Sequence, residues 1–117
     1  MKTVFLTAFG TYGDISPFLS IAARLRDAGA RPVLFLNPGV REYIDKPDFE
    51  TRWVGEPVVF SDLIRREPKY LGLRGGEHII RDCYSPFNRQ LHPLILEAIR
   101  SEKPDNVAYH VGCFSAG

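Results

Sequence analysis

The sequence predicts an α/β fold: an open, mostly parallel sheet with helices on its faces. Three observations carry this. Residues 4–9 and 33–36 are short, continuous apolar runs, the pattern of strands buried on both faces. Between them, apolar residues recur at helical spacing. The same alternation then continues along the chain in the order β-α-β-α-β-α-β, which favours a parallel sheet.

The first strand is Val4-Phe5-Leu6-Thr7-Ala8-Phe9, followed by Gly10. Phe18, Ile21, Ala22, Leu25 and Ala28 then form one helical stripe, with Ser20, Arg24 and Asp27 on other faces. Ser16 before Pro17 predicts the helix start, with serine at the N-cap and proline at the first helical position. Gly29 is the expected stop. Residues 33–36 complete a βαβ unit whose crossover should be right-handed. After Asn37-Pro38-Gly39 a short helix is expected over residues 40–44, and the alternation of Phe49, Thr51 and Trp53 predicts a third strand. A helix begins near Ser61 and is limited by Pro68, whose ring cannot continue it. Residues 71–76, with Gly72, Gly75 and Gly76, read as an exposed loop. Helical spacing returns in Ile80, Cys83, Phe87, Leu91, Leu94, Ile95 and Ala98. Ser85-Pro86 reads as a new helix start within that stripe, and Pro93 as a kink. Lys103-Pro104-Asp105 ends the helix, and residues 107–111 form a fourth strand.

A chain of 117 residues is one domain or part of one. Hydrophobic residues make up 44% and charged residues 25%, ordinary values for a soluble globular chain. Fifteen basic against fourteen acidic residues leave a formal charge of +1, which gives no electrostatic footprint for nucleic acid. Arg65, Arg66 and Lys69, interrupted by Glu67, read as a solvated helix face. Cys83 and Cys113 have neither metal-ligand spacing nor the context of a disulfide framework, so a reducing compartment is expected. No secretory signal pattern precedes the first strand, and no window approaches the ~20 apolar residues of a membrane span. The expected location is the cytoplasm.

The chemistry concentrates in "TAFGTYGDISPF", residues 7–18. This turn follows the first strand, at the sheet edge where open α/β sheets bind ligands. Gly10 and Gly13 allow a tight turn and close ligand approach, and the following helix points its positive end there. The spacing is neither the dinucleotide fingerprint G-x-G-x-x-G nor a P-loop. Asp14 admits two readings. It is a carboxylate stabilised near a helix N-terminus, or a general base aimed into a cleft. His110, at the end of the fourth strand on the same edge, either contacts a ligand or is satisfied by backbone. His78 and His92 lack a matched partner and read as surface or packing residues. Trp53, Tyr70, Tyr84 and Phe87 belong either to the core or to an apolar acceptor pocket. No pattern of a hydrolase elbow occurs.

"FGTYGDISPFLSIAARLRDAGARPVLF" resembles the N-terminal signature of GT-B glycosyltransferases of family 28 type, the group of sterol and antibiotic glucosyltransferases. Gly10, Thr11, Gly13, Asp14, Ile15 and Pro17 match its pattern G-[ST]-x-G-D-[VI]-x-P, and "KPDNVAYH" resembles its later Pro-Asp landmark. The resemblance implies a partial Rossmann-like sheet in strand order 3-2-1-4. It also implies transfer of a sugar from a nucleotide sugar, UDP-linked, to a hydroxyl of a lipid or small-molecule acceptor. Asp14 would take the acceptor's proton, Gly10, Thr11, Gly13 and His110 would contact substrate, and no metal or other cofactor is needed.

The family's donor site lies mainly in a C-terminal domain that has no counterpart in this sequence. The expectation is therefore an acceptor-side N-terminal domain over residues 1–117, incomplete at its C-terminus and without transferase activity by itself. An open edge on the fourth strand should favour self-association or a partner chain carrying the donor domain. The rival readings are a non-catalytic subunit that presents acceptor or membrane, and a small Rossmann-like binding module.

Overall fold

The computed structural model describes residues 1–44, 49–110 and 113. Four parallel strands form one sheet: β1 (Thr3–Thr7), β2 (Arg31–Leu36), β3 (Glu50–Trp53) and β4 (Asn106–Tyr109). Their order is β3-β2-β1-β4, as expected. Between β1 and β2 runs α1 (Tyr12–Asp27). Between β3 and β4 come α2 (Phe60–Arg66), α3 (Gly75–Ile79) and α4 (Ser85–Glu102). Short 3₁₀ turns occupy Pro38–Tyr43 and Pro68–Leu71.

Alternation along the central strands divides the core into two layers. Phe5, Val33 and Phe35 pack with Phe87, Leu91 and Ile95 of α4. Leu6, Leu34 and Leu36 face the opposite way, onto Ile15 and Ala22 of α1. Burying each such Leu or Phe stabilises the fold by roughly 1.5–3 kcal/mol. Phe9 joins the α4 layer, its ring stacked on Phe87 at 4.3 Å. Helix α1 ends as predicted: Gly29, at φ +87°, closes a Schellman arrangement. In it Ala30 N–H donates to Leu25 O (2.9 Å) and Gly29 N–H to Arg26 O (3.0 Å).

Four sequence expectations need correction. Helix α1 starts at Tyr12, with Thr11 as N-cap, so Pro17 lies inside the helix and Ser16 caps nothing. The Thr11–Asp14 capping box starts the helix earlier than the Ser-Pro signal. The exposed loop over residues 71–76 is shorter than expected, because Gly75 and Gly76 begin α3 and Gly75 is buried against Tyr70. Ile80 and Leu94 carry the helical period but are exposed. The period slips at Ile80, because residues Ile80–Tyr84 form a π-helical turn in which Ser85 N–H donates to Ile80 O, while Leu94 lies at the margin of the buried α4 stripe of Phe87, Leu91, Ile95 and Ala98. Pro86, which has no N–H for an α-helical bond to Asp82, follows directly. Finally, two strands end earlier than expected: the first at Thr7 instead of Phe9, and the fourth at Tyr109, with residue 111 of its expected span outside the described residues.

Candidate functional site

The carboxyl ends of β1 and β4 meet the N-terminus of α1. Gly10 lies at φ +144°, a conformation that side chains rarely adopt, and a Cβ there would stand 2.3 Å from Asp14 Oδ2. The chain therefore folds back tightly enough for Asp14 to reach over its own turn. Thr11 N–H donates to Asp14 Oδ2 at 3.0 Å, and the Thr11 hydroxyl donates to the same oxygen at 3.1 Å.

The second carboxylate oxygen points elsewhere. Asp14 Oδ1 lies 3.5 Å from His110 Nε2, with the two side chains 38% and 22% exposed. His110 is fixed by its backbone, whose N–H donates to Thr7 O at 2.9 Å, and its ring meets the edge of Phe18 at 6.2 Å. Asp14 thus fits its helix-capping reading through one oxygen, while the other faces a partly exposed histidine.

The turn has a second side. Gly10, Thr11, Tyr12 and Gly13 form one wall of a cavity of about 270 Å³. Gly39 and Val40, after β2, with Val58, Val59, Phe60 and Ser61, around the start of α2, form the other. Gly13 has an ordinary helical backbone, and a Cβ there would meet only the Thr11 hydroxyl at 3.7 Å. Local sterics do not demand glycine at 13, in contrast to Gly10. Its effect is to leave the cavity wall bare. The structure therefore brings Gly10, Thr11 and Gly13 to the cavity, and brings Asp14 to His110 on the β4 side of the same turn.

The aromatic candidates separate. Phe87 is core, Tyr70 is buried with its hydroxyl donating to Asp82 at 2.8 Å, and Trp53 lies under the Arg41 guanidinium at 4.6 Å. Tyr84 is half-buried at the edge of Phe9, 4.9 Å between centroids, and burial pushes its phenol up. His92 is exposed, and His78 sits beside Arg81. Among the described residues no cluster of three or more His, Cys, Asp or Glu could hold a metal ion. Cys83 and Cys113 are both free and buried, and burial pushes the Cys113 thiol up to about 11.

Sequence reasoning missed Asn37. It is 5% exposed and uses all its hydrogen-bonding capacity on the loops that build the far wall of the cavity. The signal was Asn-Pro-Gly directly after a strand, a turn pattern that does not reveal which distant backbone groups the amide reaches.

A UDP-N-acetylglucosamine--N-acetylmuramyl-(pentapeptide) pyrophosphoryl-undecaprenol N-acetylglucosamine transferase of Dechloromonas aromatica (strain RCB) is 34% identical over 114 residues. The match covers 91% of this chain and 27% of that protein. The chain is thus similar in sequence to a lipid-linked N-acetylglucosamine transferase over most of its own length. No family model matches it. Solved glycosyltransferases share the fold at low sequence identity. CalG4, the calicheamicin glycosyltransferase, superposes with a TM-score of 0.71 at 20% identity, covering 100% of this chain and 28% of that one. SsfS6 of Streptomyces sp. SF2575 gives 0.69 at 16%, covering 99% and 35%, and the glycosyltransferase of kitacinnamycin 0.65 at 18%, covering 97% and 26%. The chain thus spans about a quarter to a third of the proteins it matches.

Proposed function

We propose that this chain is the acceptor-side, N-terminal domain of a glycosyltransferase. The enzyme moves a sugar from a UDP-linked donor to a hydroxyl of a lipid or small-molecule acceptor. The observation that carries this reading is the split use of the Asp14 carboxylate. Oδ2 is held by Thr11, which fixes the side chain, while Oδ1 stays partly open beside His110 at the ligand-binding edge of the sheet.

An alcohol is a poor nucleophile until its proton begins to leave. In the proposed step the acceptor hydroxyl gives its proton to Asp14, and its oxygen forms a bond to the anomeric carbon of the sugar. The bond from that carbon to the diphosphate oxygen breaks, and the nucleoside diphosphate leaves with the electron pair. The His110 ring beside Oδ1 limits the rotation of the carboxylate. On this reading the donor is held chiefly by a second domain.

The similar protein from Dechloromonas aromatica is named for a pyrophosphoryl-undecaprenol acceptor, which supports a lipid acceptor here too. None of the described helices is long and apolar enough to cross a membrane. On this reading a lipid acceptor is met at the membrane periphery.

Asp14→Asn in a polypeptide that joins this domain to its donor-binding half is the test. The amide oxygen still accepts from Thr11 N–H, so melting should change little. Turnover should fall by about 10²–10⁴, the span expected for loss of a general base. Unchanged turnover would return Asp14 to helix capping alone.

A further inference from the structure

We infer that Asn37 is a positioning residue for the cavity beside the Gly10–Gly13 turn: it fixes the far wall, and so decides what enters, without touching the occupant. This deepens the acceptor-side reading above and rests on it.

The geometry is that of a latch between two loops. The Asn37 side-chain oxygen accepts from Gly39 N–H at 2.9 Å and from Val58 N–H at 2.8 Å. Its amide nitrogen donates to Val54 O at 3.1 Å and to Glu56 O at 2.8 Å. Three of the four partners lie on the segment that leads from β3 into α2, and the fourth lies on the segment after β2. Two of them, Gly39 and Val58, themselves line the cavity. The segments are in direct backbone contact there, since a Cβ on Gly39 would stand 2.0 Å from Val58 O. The cavity wall therefore has no slack of its own. The position of its two segments relative to each other is set by one buried amide and one missing side chain.

Substituting Asn37 by Asp is nearly isosteric. It keeps the two accepted bonds but turns a carboxylate oxygen toward the Val54 and Glu56 carbonyls, which repel it. Gly39→Ala disturbs the same wall from the other side while leaving Asn37 intact. A merely structural amide and a positioning one differ in what these changes reach. Gly39 and Val58 N–H keep their acceptor in Asn37→Asp, but the lost donations to Val54 O and Glu56 O make local opening of the latch easier. The positioning role therefore predicts that exchange at both amides quickens by about ten-fold or more, at least the scale of one lost buried hydrogen bond. Exchange in β1 and β2 should hold.

The probe for the cavity is octyl glucoside, a hydroxylated head on an apolar tail. It should shift the amide resonances of Gly10, Thr11 and Gly13 in the wild-type chain, and bind about ten-fold more weakly to both variants. In the complete enzyme both variants should raise KM for the acceptor and leave kcat within about two-fold.

Uniformly faster exchange across the sheet, or variants that stay folded with unchanged probe affinity and KM, would overturn the inference. A wild-type chain whose cavity amides ignore the probe would also overturn it. That result would leave the reading of Asp14 to be judged by its own turnover assay.

Discussion

At Gly10 the chain has no room for a side chain, because Asp14 folds back over the position a Cβ would take. Gly10→Ala should cost about 1–3 kcal/mol, the usual range for forcing a side chain into a strained backbone region, and should displace the carboxylate. Thermal denaturation reads the first effect, and turnover of the complete enzyme reads the second. Gly13→Ala should behave oppositely. A helical alanine is favoured by up to ~1 kcal/mol over glycine, so melting should rise while ligand binding in the cavity weakens. Gly10, Thr11, Gly13 and Asp14 were all legible in the sequence as members of one turn. Their division of labour was not. The T-x-x-D pattern of a capping box was present, but Ser16-Pro17 gave an equally good start signal, and only the backbone path decides between them. Asn37 was illegible for a related reason. Its four partners lie two to twenty-one residues away, and no local pattern announces such contacts.

Helix α4 carries an internal proline at an exposed position. Pro93→Ala restores a donor for the Arg89 carbonyl and should stabilise the chain by up to ~3 kcal/mol, visible as a higher melting temperature. The end of the same helix is tied to the sheet by ions. Arg52 pairs with Glu102 through both terminal guanidinium nitrogens and with Glu50 at 2.7 Å, and Glu50 also meets Arg31 at 2.7 Å. The guanidinium of Arg52 holds the Glu102 carboxyl below its ordinary value, and Arg31 followed by Arg52 does the same for Glu50. Carboxyls with lowered folded-state values contribute stability above their unfolded value and lose it as the pH falls through the folded one. Melting temperature should therefore decline below about pH 4.5. Glu102→Gln should flatten that decline and cost on the order of 1 kcal/mol at neutral pH, since the pair is partly screened by solvent. The elements with clean periodicity were placed correctly, α1 beyond its first turn and β1 to β4 in order, although β1 and β4 both end two residues short of their apolar runs. The π-helical turn was not, because one slipped turn moves Ile80 to the surface without breaking the apparent spacing.

Among the described residues the sheet order β3-β2-β1-β4 leaves β4 at an edge, with Tyr109 48% exposed. Unpaired strand edges template association. Sedimentation of this chain should show a concentration-dependent rise in mass, and Tyr109→Lys should reduce it; a single monomeric species at all concentrations would contradict this. The parallel order was legible because the apolar runs of β1 and β2 demand cover on both faces, and because the family signature spans β1 to β2. The site was legible only as an edge of that sheet. That the turn serves a cavity on its β2 side and a carboxylate–histidine contact on its β4 side depends on how the loops pack. The most direct test of the account is a structure of the complete enzyme with its acceptor bound. The reacting hydroxyl should lie within ~2.6–3.2 Å of Asp14 Oδ1. An acceptor hydroxyl beyond hydrogen-bond reach of that oxygen, with Asp14 still joined only to Thr11 and His110, would contradict it.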